Sequence, residues 1–319
     1  MFKQVKLLFL YTETPLHVGS GSSLGSVDLP IQRERHTNLP MIQSTGIKGK
    51  LRSAFDSNGN ENNITQEENQ RRKELIKAIF GPESNGTSEH AGALSPGDGR
   101  ILLFPVRSLA GVFAWITCPL VINRFIRDFN LTKPFQSLNW TDLKLSNDSA
   151  LVPVNSSPLL IDSSVILEEF SFTATANLEV QSLANWLADN ALPASSEYQF
   201  WKNKLKTDLV VLSNDAFKDF CQFSTDVVAR TKLDSVTKIV QPGALWTEEN
   251  LPSDTLLYTP LFACDPRLDN KPKKQGKDED LDAEEILNIV QTHLTNNHSR
   301  LQLGGNETVG RGIVATRVL

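Results

Sequence analysis

Short runs of β-branched and aromatic residues alternate along this chain with stretches whose apolar positions recur at helical spacing. Residues 5–18 (VKLLFLYTETPLHV) predict an opening strand, and the glycine- and serine-rich VGSGSSLGSVDLP that follows predicts a loop. In GIKGKLRSAFD, Ile47, Leu51 and Phe55 recur every four residues, so a helix capped by Ser44 or Thr45 is expected to turn them inward. Thr65 with Glu68 forms a capping box for a second helix carrying Leu75, Ile76, Ile79 and Phe80, which stops at Gly81-Pro82. Strands are expected at 101–106, 164–178 (a pair) and 206–212, with helices at 180–187, 215–223 and 281–296. Residues 109–129 read mainly as helix, broken or begun near Pro119, and residues 225–240 as a β-hairpin. The end, LQLGGNETVGRGIVATRVL, predicts strand, glycine-rich turn and strand. Polar stretches at 56–64, 83–99, 134–158 and 265–279 predict loops. The expected class is α+β, with a ferredoxin-like or RRM-like core carrying insertions.

Composition narrows the class. With 39% apolar residues in 319, the chain can bury a proper core. Its net charge of −5 excludes a uniformly basic surface, so any nucleic-acid contact must rest on a local patch. Such a patch exists between positions 33 and 52, where Arg33, Arg35, Lys48, Lys50 and Arg52 face one acid, Glu34. Acidic residues instead gather between Asp128 and Asp189. Three widely spaced cysteines argue for a reducing compartment without a disulfide framework or zinc site. The apolar run at 7–11 is too short for a signal segment or a membrane span, so a cytoplasmic protein is expected.

Several residues carry candidate chemistry, each with a plainer alternative. Asp28 sits in a loop of small residues, where one carboxylate could hold a divalent ion whose other ligands are water and phosphate oxygens. It could equally cap its own turn. His17, at the strand–loop junction, is a better candidate for touching RNA than His36, although a lone histidine is more often a structural hydrogen-bonder. Lys48 and Arg52 share a helix face suited to phosphate, with Lys50 pointing elsewhere; a solvated face is the alternative. Gly304, Gly305, Gly310 and Gly312, with Arg311, could bring backbone N–H groups to phosphate or simply form a tight turn. Glu248 and Glu249 are candidate secondary catalytic carboxylates, or the solvated edge of a hairpin. His293 and His298, five apart, do not form a metal pair.

Three segments together resemble a known family: SVDLPIQRERHTNLPMIQSTGIKGKLR, GALWTEENLPSDTLLY and LGGNETVGRG, in that order along the chain. The sequence is similar to the backbone subunits of Cmr (type III-B) CRISPR effector complexes, which are RAMP-superfamily proteins. The resemblance implies one domain over 1–319, a modified RRM-like palm with a β-hairpin thumb and an inserted helical region. Insertions would fall near 57–100, 130–160 and 220–258, the last being the thumb. It implies copies stacked along a guide RNA (crRNA) in a helical filament with other Cmr subunits, each thumb displacing one nucleotide of the guide–target duplex. Asp28 occupies the position of the loop aspartate that supports metal-dependent cutting of target RNA at regular intervals, with Mg2+ or Mn2+ as cofactor. Relatives tend to carry an aromatic near the Trp-x-Glu-Glu motif, where this chain has Thr247 and Asn250. Two rivals stand beside this expectation: a purely structural RNA-binding filament subunit, and a metal-free precursor-processing ribonuclease. The second is disfavoured by only five His and three Tyr.

Overall fold

The computed structural model describes residues 2–56, 65–82, 90–133, 138, 140, 143–274, 278–296 and 299–319. The opening strand, β1 (Gln4–Thr12), ends earlier than expected, and a long loop leads to β2 (Met41–Ile42) and α1 (Ser44–Asp56). Neither Ser44 nor Thr45 caps α1 from within; the carboxylate of Asp98 instead accepts the Ser44 N–H at 2.8 Å. Ile47, Leu51 and Phe55 are buried as their spacing requires. Helix α2 (Gln66–Phe80) carries the full Thr65–Glu68 capping box and closes on Gly81, whose φ of 98° suits glycine.

Next come β3 (Leu94–Pro96), β4 (Gly99–Arg107), β5 (Phe113–Thr117) and α3 (Pro119–Asn130). The segment 109–129, expected to be mainly helix broken or begun near Pro119, is a turn, a strand and then a helix that begins at Pro119. The turn needs positive φ at Gly111 and Val112, and Ala114, Trp115 and Ile116 are wholly buried. Pro119 then opens α3, where a missing N–H costs nothing. The acidic stretch expected to be irregular contains β6 (Ser149–Val152), followed by the expected strand pair β7 (Ser164–Leu167) and β8 (Phe170–Ala176). Helices α4 (Leu178–Asn190) and α5 (Gln199–Thr207) precede β9 (Leu209–Val211), so the strand expected at 206–212 is shorter, its first residues closing α5. Then follow α6 (Asn214–Phe223), β10 (Asp226–Leu233) and β11 (Val240–Asn250). The hairpin pairs Asp226 with Asn250 and Leu233 with Val240, so its second strand runs ten residues past the expected limit of 240. Pro242 and Gly243 hide that strand's alternation from a sequence reading. The chain ends with β12 (Leu256–Ala263), α7 (Ala283–Asn296), β13 (Arg300–Gln302) and β14 (Ile313–Val318).

Among the described residues the strands form one twelve-stranded mixed sheet, and β10–β11 stands apart as a two-stranded ribbon. Near one end of the sheet β1 lies antiparallel between β12 and β14, while β5–β9 and β6–β8 run parallel. Leu7, Leu8, Phe9, Leu10 and Tyr11 are all buried because both faces of β1 are covered. With a two-residue period, Lys6 reaches Asn288 on α7, while Phe9 meets Phe125 of α3 and Trp186 of α4 on the other side. The architecture is therefore mixed α/β around one large sheet. Among the described residues no helix is long and apolar enough to cross a membrane.

Candidate nucleic-acid interface

The loop after β1 is laced to the foot of the hairpin. Leu16 bridges Leu251, Gly19 bridges Ile31, and Leu29 runs parallel to Glu248. Backbone hydrogen bonds from Ser20 to Pro30 (3.0 Å) and from Gln32 to Val18 (2.8 Å) close the neck of the loop, leaving Leu24 fully exposed near its tip. Small residues allow this tight return, and the loop lands beside β11 because Leu29 donates its N–H to the Thr247 carbonyl and accepts the Glu249 N–H on its own carbonyl.

Asp28 is exposed on the returning arm and faces Thr247 of β11. Its Oδ2 accepts the Thr247 N–H at 2.7 Å and the Thr247 hydroxyl at 2.9 Å. The Asp28 N–H in turn donates to Thr247 Oγ1 at 3.0 Å. The backbone bond, then the hydroxyl bond, favours the charged form and holds the carboxyl below the usual aspartate range. Asp28 does not cap its own turn; it grips the hairpin 219 residues away.

The two glutamates that follow are buried, 3% and 6% exposed, and so are not the solvated hairpin edge that the motif suggests. Glu248 takes a hydrogen bond from Asn306 and lies 3.6 Å from the Arg230 guanidinium. Glu249 binds the Arg33 guanidinium, the Thr225 hydroxyl (2.9 Å) and the Ile31 N–H (3.0 Å). Both work as internal anchors of the hairpin foot. A carboxylate so enclosed is already coordinated by protein donors.

His17 joins the same cluster: its Nδ1 lies 2.6 Å from the Glu249 carbonyl, and its own carbonyl accepts the Gly305 N–H at 2.9 Å. The glycine-rich loop packs here. A Cβ on Gly304, at φ +73°, would fall 2.2 Å from the His17 carbonyl oxygen. The N–H groups of Gly305, Gly310, Arg311 and Gly312 all donate to protein carbonyls, so they do not form the phosphate cradle considered above. The tight turn is the better description, and Gly304 and Gly305 shape the site by close packing against His17.

The basic patch divides. Arg33 is committed to Glu249 and to the carbonyls of Asn38 and Cys221. Arg52 donates to the Gly81 carbonyl at 2.8 Å and lies 4.0 Å from Asp56. Lys50 pairs with Glu307 at 3.6 Å, an exposed contact that a phosphate could replace at little cost. Lys48 is half-buried, and that burial, with the Arg52 charge beside it, lowers its pKa. Arg35 is exposed. Along α6 and reaching the start of β10, a groove of about 790 Å³ carries Asp148, Glu168, Glu169, Asp215, Asp219 and Asp226, the wrong sign for phosphate. His298 lies outside the described residues, and His293 is buried, stacked on Phe55 at 3.8 Å.

The structure adds contacts that the sequence did not predict: Thr247, noted only as a departure beside the motif, on Asp28, and Arg230 and Asn306 on Glu248. Asn306 carried a conformational signal, since Gly-Gly-Asn favours the left-handed turn it adopts at φ 63°. The ribbon also bares Leu233, Val236, Ile239 and Leu245 along with Lys232 and Lys238.

Comparison with known proteins fits this geometry. The RAMP superfamily matches residues 9–315. The "CRISPR system Cmr endoribonuclease Cmr4" of Pyrococcus furiosus is 39% identical over 313 residues, covering 97% of this chain and 93% of the relative. The "CRISPR system CMR subunit Cmr4" of Saccharolobus solfataricus is 27% identical, covering 99% and 96%. Among solved structures, oligomeric Cmr4 from Pyrococcus furiosus superposes with a TM-score of 0.68 at 31% identity, covering 99% of this chain and 98% of that one. The chain belongs to the RAMP superfamily and, within it, to the Cmr4 family.

Proposed function

We propose that this chain is the guide-RNA-binding backbone subunit of a type III-B CRISPR effector, and that it cuts complementary target RNA at regular intervals. The observation that carries the proposal is Asp28: an exposed carboxylate, held ionised, at the foot of a solvent-exposed hairpin. The twelve-stranded sheet would serve as a modified RRM-like palm, β10–β11 as the thumb, and the region after α1 as the inserted helical part. Copies would stack in a helical filament with other Cmr subunits on the crRNA. The Pyrococcus relative's designation as an endoribonuclease and its oligomeric structure support these two points.

The donor set limits the metal chemistry. No group of three or more His, Cys, Asp or Glu among the described residues could hold a metal ion. Asp28 Oδ2 is engaged by Thr247, Oδ1 has no hydrogen-bond donor among the described residues, and Glu248 is enclosed. One carboxylate oxygen suits Mg2+ or Mn2+ only if RNA phosphates and waters complete the shell, which fits a site formed when target is bound. Such a cation would supply charge stabilisation at the scissile phosphate and help activate the ribose 2′-hydroxyl. The chain itself positions the acid and keeps it deprotonated. Lys48, Lys50, Arg35 and the ribbon lysines offer positive charge to the backbone, and His17 fixes the loop beside them.

The test is Asp28→Asn in the assembled complex. Cutting at every interval is expected to vanish while guide binding persists. Undiminished cutting would remove Asp28 from the chemistry and leave a non-catalytic RNA-binding filament subunit.

A further inference from the structure

The hairpin and the Asp28 loop are joined at one residue. Thr247 donates its N–H and its hydroxyl to the same carboxylate oxygen, accepts the Asp28 N–H on its Oγ1, and accepts the Leu29 N–H on its carbonyl at 3.0 Å. These bonds leave the loop little freedom to slide along β11 where the acid sits. The rest of the loop is held to its own returning arm and not to the hairpin: residues 19–26 are exposed, Ser20 donates to the Pro30 carbonyl, Ser23 N–H donates to the Asp28 carbonyl, and Gln32 donates to the Gly19 carbonyl.

We propose that Thr247 is the positioning residue of the cleavage site, its hydroxyl carrying the Asp28 carboxylate on the hairpin so that the acid moves with the thumb. This rests on the assignment of cutting to Asp28. Wherever the ribbon inserts along an RNA duplex, the acid arrives at a set offset from it, with Oδ2 restrained and Oδ1 turned to the substrate. Threonine serves where valine of the same shape would not, because only the hydroxyl both donates to the carboxylate and accepts from the Asp28 amide.

The experiment compares Thr247→Val and Thr247→Ser in two settings. In the isolated chain, the Asp28 carboxyl is titrated by carbon NMR, with Asp28→Asn identifying its signal. In the complex assembled on crRNA, target cutting is followed against pH. Thr247→Val is expected to raise the Asp28 titration midpoint toward that of a free aspartate. It should slow cutting on the order of 10-fold, with the acidic limb of the pH profile moved upward. Thr247→Ser is expected to restore both. Thr247→Ala, which loses the same hydroxyl without a branched side chain, supplies the readout should the valine variant not assemble. An unchanged Asp28 titration and pH profile in the hydroxyl-less variants, with Asp28→Asn inactive, would overturn the role of Thr247 and leave Asp28 as the acid. A shifted titration with Asp28→Asn fully active would overturn both assignments.

Discussion

The guanidinium of Arg33 meets the carboxylate of Glu249 216 positions further along the chain, and the pair lies at the point where the loop after β1 joins the hairpin. Their side chains are 15% and 7% exposed, so the pair is desolvated. The remaining lone pairs of Glu249 are met by Thr225 and Ile31.

Removing one partner should therefore cost more than removing both. Glu249→Ala strands a buried guanidinium and is expected to lose about 3–5 kcal/mol of stability, while the Arg33→Met/Glu249→Met double variant loses less. Denaturant unfolding of the three variants measures this, and a loss below about 1 kcal/mol for Glu249→Ala would contradict a buried anchor.

Two glycines of the C-terminal loop separate strain from collision. Gly304 and Gly310 share φ +73°, but a Cβ on Gly304 meets the His17 carbonyl oxygen at 2.2 Å while one on Gly310 meets nothing within 4 Å. Gly310→Ala is expected to cost only the left-handed backbone penalty, about 1–2 kcal/mol. Gly304→Ala should cost clearly more and loosen His17. Midpoint shifts at constant m-value compare them, and equal losses would rule out the close approach.

All three cysteines are buried and unpaired. Burial pushes the Cys118 thiol up to about 12. The native protein is expected to resist thiol reagents at pH 8, titrating three thiols per chain only once unfolded. The sign of the pH effect follows. A folded-state value raised from 9.0 to about 12 gives a contribution fully present below pH 9 and lost as pH climbs toward 12. A Cys118→Ala variant should lack that alkaline loss, which thermal unfolding from pH 8 to 11 would reveal.

Among the described residues the outer part of the ribbon pairs with no other strand. Thr231 and Leu245 are cross-strand partners, so replacing residues 232–244 by Asn-Gly closes a short hairpin and deletes exposed Leu233, Val236 and Ile239. Stability should change by less than about 1 kcal/mol, because no buried contact is lost. In the assembled complex the same deletion is expected to abolish regular-interval cutting while leaving Asp28 in place. Unaltered cutting would remove the ribbon from target handling.

Local signals were readable from the chain alone because they depend on neighbours in sequence. The Thr65–Glu68 box, the four-residue spacing of Ile47, Leu51 and Phe55, and the glycine turn before β14 each emerge as predicted. So does Asp28's place in a small-residue loop. Tertiary structure alone decided what the charged residues do, since their partners lie far away along the chain. Arg52 was a candidate phosphate ligand and Arg33 a member of the same basic stretch, yet the Gly81 carbonyl and Glu249 engage them. Glu248 and Glu249 looked solvated until the loop after β1 and Asn306 enclosed them. Residues 113–117 looked helical because a fully buried strand lacks the alternation that reveals a half-buried one. Thr247 stood out only as a departure beside the Trp-x-Glu-Glu motif, and its bonds to Asp28 exist only once the hairpin stands beside the loop.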